Sequence, residues 1–145
     1  MERDAVEITG LHEALINALT SPIVAVDRSG VVIEWNHAAE RYTGLLREDA
    51  LGKEIWNLQA RIAPAVIPYE EALTRSKEQF AAMVARNNRN LRNWNEEYDW
   101  DILSTRGERR HAHIKAFPLI VQDHLIIVNI LDDLEPAESL SEHAV

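Results

Sequence analysis

The segment from Glu97 to Lys115 constrains the fold more than any other part of the sequence. Two alternating stretches flank Thr105-Arg106-Gly107, which fits a three-residue hairpin loop with glycine where a positive φ angle is required. The predicted cross-strand pairs are Trp100 with Ala112, Tyr98 with Ile114, Asp101 with His111, Asp99 with His113, and Glu97 with Lys115. The first two pairs form an apolar face and the other three a charged face, so the segment predicts an antiparallel hairpin that covers a core with one side.

Helical and extended patterns precede this hairpin. Apolar residues recur at helical spacing from Val6 to Leu19, which predicts an amphipathic helix with Thr9 available as its cap. Ser21-Pro22 should end that helix, and segments 23–26 and 31–35 predict two strands joined by a tight turn. Asn36 predicts the cap of a short helix that Gly44 ends.

The rest of the chain completes an α+β pattern. Segment 55–94 is helical in composition, and after the prolines at its start we predict one long helix from Tyr69 to Trp94. Segments 110–117 and 125–131 predict the last two strands of a five-stranded antiparallel sheet with helices on one face. We expect an N-terminal helix at 1–20, one domain at 21–135, and a tail or linker at 136–145.

Composition and short motifs exclude several classes of function. The chain has no cysteine, which removes disulfides, thiolate metal sites and cysteinyl flavin adducts. Its net charge is -9 and its basic residues are scattered, so we expect no nucleic-acid partner. No apolar run is long enough to span a bilayer, so we expect no membrane contact by this segment and a cytoplasmic location. Glycine-rich phosphate loops and nucleophile elbows are absent, and we expect no catalytic residue.

The order of the predicted elements, together with the amino-acid sequence of the first half, resembles the PAS family. The resemblance covers roughly residues 11–135. The resemblance is carried by three segments: Ser21-Pro22-Ile23-Val24-Ala25-Val26-Asp27 before Gly30, Trp35-Asn36-His37-Ala38-Ala39-Glu40-Arg41-Tyr42-Thr43-Gly44, and Arg47-Glu48-Asp49-Ala50-Leu51-Gly52-Lys53. The hairpin Arg106-Gly107-Glu108-Arg109-Arg110 and the strand end Phe117-Pro118 are similar to PAS domains of bacterial and archaeal sensor histidine kinases.

Two departures from the family pattern bear on function. The stretch between Gly52 and Tyr98 is longer than in most members, so the pocket lining cannot be transferred residue by residue. The family usually ends its last strand with Asp-Ile-Thr, whereas this chain has Asp132-Asp133-Leu134. Asp132 keeps the position of the signal exit, while Leu134 replaces the threonine of the usual relay.

The resemblance implies a sensory domain that binds a small molecule between the sheet and the long helix and relays binding to an output domain such as a histidine kinase. Alternation predicts the pocket residues, and the first helix predicts a homodimer contact. The predicted pocket residues are Ile33, Trp35, Trp56, Phe80, Met83, Trp100 and Ile114, and the predicted dimer residues are Ile8, Leu11, Leu15 and Leu19. A PAS domain without ligand that acts in dimerisation or docking stays open as the alternative.

Cofactor chemistry is less well supported by the sequence. His111 and His113 form a His-x-His pair, but the facing aspartates account for both as ion pairs, so we expect no metal site. Haem is disfavoured because the family generally takes its axial histidine from the long helix, and segment 69–94 contains none. A non-covalent flavin stays open because tryptophans can stack on its ring, although tryptophans more often fill cores.

Overall fold

The computed structural model describes residues 2–133, with side chains for residues 10–132. Its elements are α1 (Glu2–Ala18), β1 (Ile23–Asp27), β2 (Val32–Trp35), α2 (His37–Thr43), α3 (Arg47–Ala50), α4 (Ile55–Arg61), α5 (Tyr69–Asn87), a 3-10 turn (Leu91–Asn93), β3 (Glu96–Leu103), β4 (Arg109–Val121) and β5 (His124–Asp133). The strands form one antiparallel sheet in the order β2-β1-β5-β4-β3. The predicted α+β architecture is confirmed, whereas the predicted tail at 136–145 lies outside the described residues.

The β3–β4 hairpin has the predicted register. Every predicted pair, from Glu97 with Lys115 to Asp101 with His111, is present. Gly107 has φ 85°, and the amide of Ser104 donates to the carbonyl of Glu108 at 2.8 Å. The turn residue and the alternation therefore determined this hairpin locally.

Asn36 links four parts of the chain, which explains why it is completely buried. Its Oδ1 accepts hydrogen bonds from the amides of Ala39, at the start of α2, and Ile23, at the start of β1, at 3.0 and 2.9 Å. Its Nδ2 donates to the carbonyls of Ile16 and Ser21, both at 3.1 Å. The predicted helix cap is confirmed, and the same side chain also attaches α1 to the sheet.

The hydrophobic core fills the space between one sheet face and helices α2 to α5. Its largest completely buried side chains include Trp35, Leu58, Ile62, Ile114 and Ile127. Strands β4 and β5 supply alternate residues to this core, as expected for a sheet that packs on one face, whereas four consecutive residues of β1, 23–26, are buried. Within residues 2–133, no helix combines the length and apolarity that a bilayer span requires.

Several element boundaries differ from the predictions. Helix α1 begins at Glu2, so Thr9 lies inside the helix and does not cap it. Helix α5 ends at Asn87, seven residues before Trp94, where the Asn87 side chain donates both to the carbonyl of Met83 at 2.8 Å and to the carboxylate of Glu96 at 2.9 Å. The chain then reverses direction and buries Trp94.

Strand β4 continues past Phe117 to Val121, which the prediction missed. Pro118 lies beyond the last β3–β4 pair, and the register directs its nitrogen toward the side that β3 has left. Proline therefore removes no ladder hydrogen bond at this position. Gln122 and Asp123, with φ 49° and 67°, then form a two-residue turn into β5.

Candidate functional site

A cavity of about 430 Å³ lies between helices α4 and α5 and the core face of the sheet. Strands β1 and β5 form its floor, α4 contributes Ile55 and Gln59, and α5 contributes one face of the stretch from Ser76 to Arg86. Ligand pockets in proteins commonly range from about 300 to 1,000 Å³. The cavity is therefore large enough for a small organic molecule.

Five of the seven predicted pocket residues line this cavity: Trp35, Phe80, Met83, Trp100 and Ile114. Strand alternation placed Trp100 and Ile114 on the core face, and the helical face of α5 placed Phe80 and Met83 opposite them. Sequence patterns therefore predicted part of the apolar wall, and residues such as Val24, Ile55 and Leu131 complete it.

Ile33 and Trp56 lie elsewhere, contrary to the prediction. Ile33 is 42% exposed and lines a surface pocket together with Ile126, on the outer face of the sheet. Trp56 is buried behind the cavity wall, with its ring centroid 5.7 Å from that of Phe80, and the Nζ of Lys77 lies 5.6 Å from its ring. Trp56 thus supports Phe80 and does not line the cavity.

Polar groups in the cavity were missed by the prediction. The Tyr98 hydroxyl donates to Oδ1 of Asn129 at 3.4 Å, and Nδ2 of Asn129 donates to the carbonyl of Val24 at 3.3 Å. Tyr98 is 37% exposed as a residue, but it lines the cavity. Its pKa is raised to about 12, mainly by burial of the hydroxyl and to a smaller extent by the nearby Glu96 carboxylate. Asn129 was detectable in sequence, because it interrupts the otherwise apolar strand Leu125–Leu131.

An ion pair joins the end of α5 to the start of β3 at the cavity wall. The Arg86 guanidinium donates to both carboxylate oxygens of Glu96, at 3.1 and 2.6 Å, and Nδ2 of Asn87 donates to the same carboxylate at 2.9 Å. Hydrogen bonds from Arg86 and then Asn87 lower the pKa of Glu96. Among the described residues that line the cavity, Arg86 is the only basic one, and it is neutralised by Glu96.

The two histidines of β4 lie on the outer face of the sheet. His113 contacts Asp99 through Nδ1 and Glu97 through Nε2, both at 2.8 Å, and His111 Nδ1 contacts Asp101. The Asp99 and Glu97 carboxylates raise the pKa of His113, with Asp99 as the larger cause. In the described part of the chain, no three histidine or carboxylate side chains converge in a way that could hold a metal ion.

Asp132 and the start of β1 meet at one end of the sheet. Asp132 is exposed and pairs across the ladder with His113, and it borders a shallow pocket with Pro22, Tyr42 and Arg110. The Arg110 guanidinium lies 5.0 Å from the Tyr42 ring. The predicted exit residue is therefore close to the point where α1 leads into the sheet.

The predicted dimer helix presents leucines to the surface. Leu11 is 54% exposed and Leu15 53% exposed on α1, and Leu19 is 46% exposed just after the helix ends. The Ile8 side chain lies outside the described residues. An exposed row of leucines on a helix is a candidate protein contact.

Several solved structures similar to this chain are PAS domains. A PAS domain of an HTR-like protein from Haloarcula marismortui gives a TM-score of 0.65 at 14% identity, covering 92% of this chain and 97% of that chain. A PAS domain from a two-component sensor histidine kinase gives 0.62 at 15% identity, covering 90% and 98%. The Cronobacter turicensis RpfR quorum-sensing receptor PAS domain, in complex with C12:0, gives 0.54 at 20% identity, covering 80% and 95%.

Sequence comparison gives one long and one short match. A curated phytochrome from Mougeotia scalaris is 51% identical over 37 residues, which is 26% of this chain and 3% of the phytochrome. The family model described as the PAS fold matches residues 10–132, most of the chain. The five-stranded sheet and the helices on its core face agree with that match, and the chain therefore belongs to the PAS family.

Proposed function

We propose that this chain is a sensory domain of a sensor histidine kinase that binds a small molecule in the cavity between α5 and the sheet. The cavity itself, about 430 Å³ and lined by both apolar and polar side chains, carries the proposal. The related RpfR domain, whose structure contains C12:0, supports it, because a domain of the same fold accommodates a small molecule. We assign no reaction to the domain.

Two cavity residues connect the ligand site to the ends of the domain. Pro22 and Leu131 both line the cavity, and the amide of Leu131 donates to the carbonyl of Pro22 at 3.0 Å. Pro22 follows α1, and Leu131 precedes the exit residue Asp132. A ligand that displaces either residue changes the position of α1 relative to the exit and so shifts the equilibrium between two packing states.

This change is transmitted through a homodimer whose contact includes Leu11, Leu15 and Leu19. Their exposure leaves an apolar helix face available to a second copy of the chain. Ligand binding then alters the dimer through α1, and the output domain receives the change from both copies.

Native mass spectrometry of the purified chain tests the ligand and the dimer together. We expect a dimer that carries extra mass, and Ser76→Trp, which fills the cavity from its half-buried wall position, should remove that mass. Ala82→Trp places the same side chain on the exposed side of α5 and is the matched control. If Ser76→Trp and Ala82→Trp retain equal extra mass, the ligand is bound outside the cavity and the proposal is wrong.

A ligand-free docking module is the second candidate, and the exposed α1 leucines favour it. This candidate predicts a dimer that carries no extra mass. It also predicts that no small molecule binds more weakly to Ser76→Trp than to the wild type. A non-covalent flavin or a haem is the third, and the visible absorbance of the purified chain would identify either one.

A further inference from the structure

Strand β3 is the edge of the sheet, and its register determines where its main-chain groups point. Ser104 bonds Glu108 across the hairpin, so every second residue from it, including Trp100 and Tyr98, exchanges hydrogen bonds with β4. The N–H and C=O groups of Glu97, Asp99 and Asp101 consequently point away from β4. Leu103 belongs to the same series, and its amide donates outside the sheet, to the carbonyl of Ile62 at 2.8 Å.

Main-chain atoms of these three acidic residues face the cavity. Glu97, Asp99 and Asp101 all line it, although their carboxylates contact His111 and His113 on the outer sheet face. A strand residue cannot direct one side chain to both faces. The free edge of β3 is therefore the part of these residues that borders the cavity.

The free edge is enclosed at both ends. The hydrogen bond between Leu103 and Ile62 closes one end, and the Arg86–Glu96 ion pair closes the other. Ser76 and Gln79 of α5 line the same cavity from its helical side. The main-chain N–H and C=O groups of Glu97, Asp99 and Asp101 lie between these two contacts. We call this part of the cavity the slot, and a molecule bound in it would supply hydrogen-bond partners to those groups.

The charges around the slot disfavour an anionic ligand. Arg86 is already bonded by Glu96, whose lowered pKa keeps it ionised at neutral pH. A carboxylate in the slot would add a negative charge near Glu96 without a free basic side chain among the described lining residues. A neutral head group avoids this cost.

We infer that the ligand is a neutral molecule with an apolar body and an amide, either a primary carboxamide or a lactam, that pairs with the free N–H and C=O of Asp99. Such amides present a donor and an acceptor on one edge, which complements the two edge groups of a single strand residue. Asp99 lies midway along the slot, and the apolar body packs against Phe80 and Met83. This inference rests on the proposed function and specifies its ligand class.

Octanamide and octanoate are matched probes, because they share a chain and differ in the head group. We expect isothermal titration at about pH 7.5 to show octanamide binding at least tenfold more tightly than octanoate. Asp99→Pro removes the edge N–H without removing a bond to β4, since proline is tolerated on edge strands. It should weaken octanamide binding about tenfold, whereas Asp99→Ala, which also loses the carboxylate but keeps the N–H, should stay within twofold of the wild type.

The outcomes separate this inference from the proposed function. Octanoate binding as tightly as octanamide, or octanamide binding equally to Asp99→Pro and Asp99→Ala, overturns the amide inference and leaves the cavity function intact. If octanamide does not bind while another small molecule binds in a Ser76→Trp-sensitive way, the amide inference alone fails. If no small molecule binds in a Ser76→Trp-sensitive way, the amide inference and the proposed function both fail.

A nitrogen-15 NMR titration keeps the test valid should Asp99→Pro not fold. Octanamide added to the wild-type chain should shift the Asp99 amide resonance, and the Ala112 amide, which lies across the β3–β4 ladder, should move much less. An unmoved Asp99 resonance in the presence of bound octanamide overturns the inference.

Discussion

Asn36→Ala should destabilise the domain by about 3 kcal/mol, because one side chain serves several elements. Loss of the α2 cap at Ala39 costs about 1 kcal/mol. The amide of Ile23, whose residue is 8% exposed, loses its partner, which costs roughly 1 to 3 kcal/mol. The carbonyls of Ile16 and Ser21 are only partly buried and can bond water, so we add little for them.

Urea unfolding followed by tryptophan fluorescence measures this loss, since Trp35 is buried next to Asn36. At roughly 4 °C per kcal/mol for a domain of this size, the melting temperature should fall by about 12 °C. Asn36→Ser restores a good helix cap but is too short to make the other bonds, so its stability should lie about 1 kcal/mol above that of Asn36→Ala.

Asn95→Ala, at an exposed position, is the control and should change stability by less than about 0.5 kcal/mol. The reasoning is refuted if Asn36→Ala loses less than about 1 kcal/mol. It is also refuted if Asn36→Ser is as unstable as Asn36→Ala, because the cap would then contribute nothing.

Further predictions concern a glycine pair and a histidine. Gly44 and Gly52 both have φ 81°, but a Cβ at Gly44 would overlap the Thr105 side chain, whereas one at Gly52 meets nothing within 4 Å. Gly52→Ala should cost about 1 kcal/mol of unfolding free energy and Gly44→Ala clearly more, and equal losses would contradict this difference. The carboxylates that raise the pKa of His113 stabilise the folded state when the imidazole is protonated. This contribution is fully present below the unfolded pKa of about 6.5 and is lost as the pH rises through the folded pKa. His113→Gln should therefore lower the melting temperature more at about pH 5.5 than at pH 8.5, and an equal or opposite difference would contradict the assignment.

The amino-acid sequence by itself determined the local parts of this protein. The β3–β4 register follows from Gly107 and the alternation around it, and the start of α2 follows from Asn36. These features depend on neighbours within about a dozen residues, so turn chemistry and side-chain period suffice to predict them. Family resemblance added the five-stranded antiparallel sheet with helices on one face, whereas the order of the strands within that sheet was seen only in the structure.

Only the tertiary structure decided how the candidate site is composed. Periodicity could not tell that Ile33 packs on the outer face, that Trp56 stands behind Phe80, or that Asn36 also bonds Ile16. The end of α5 depends on Asn87 and Glu96 meeting after the chain reverses, and the free edge of β3 becomes a cavity wall because α5 lies beside it. Each of these results depends on contacts between segments that are distant in sequence, and the geometry of those contacts is set by packing of the whole core.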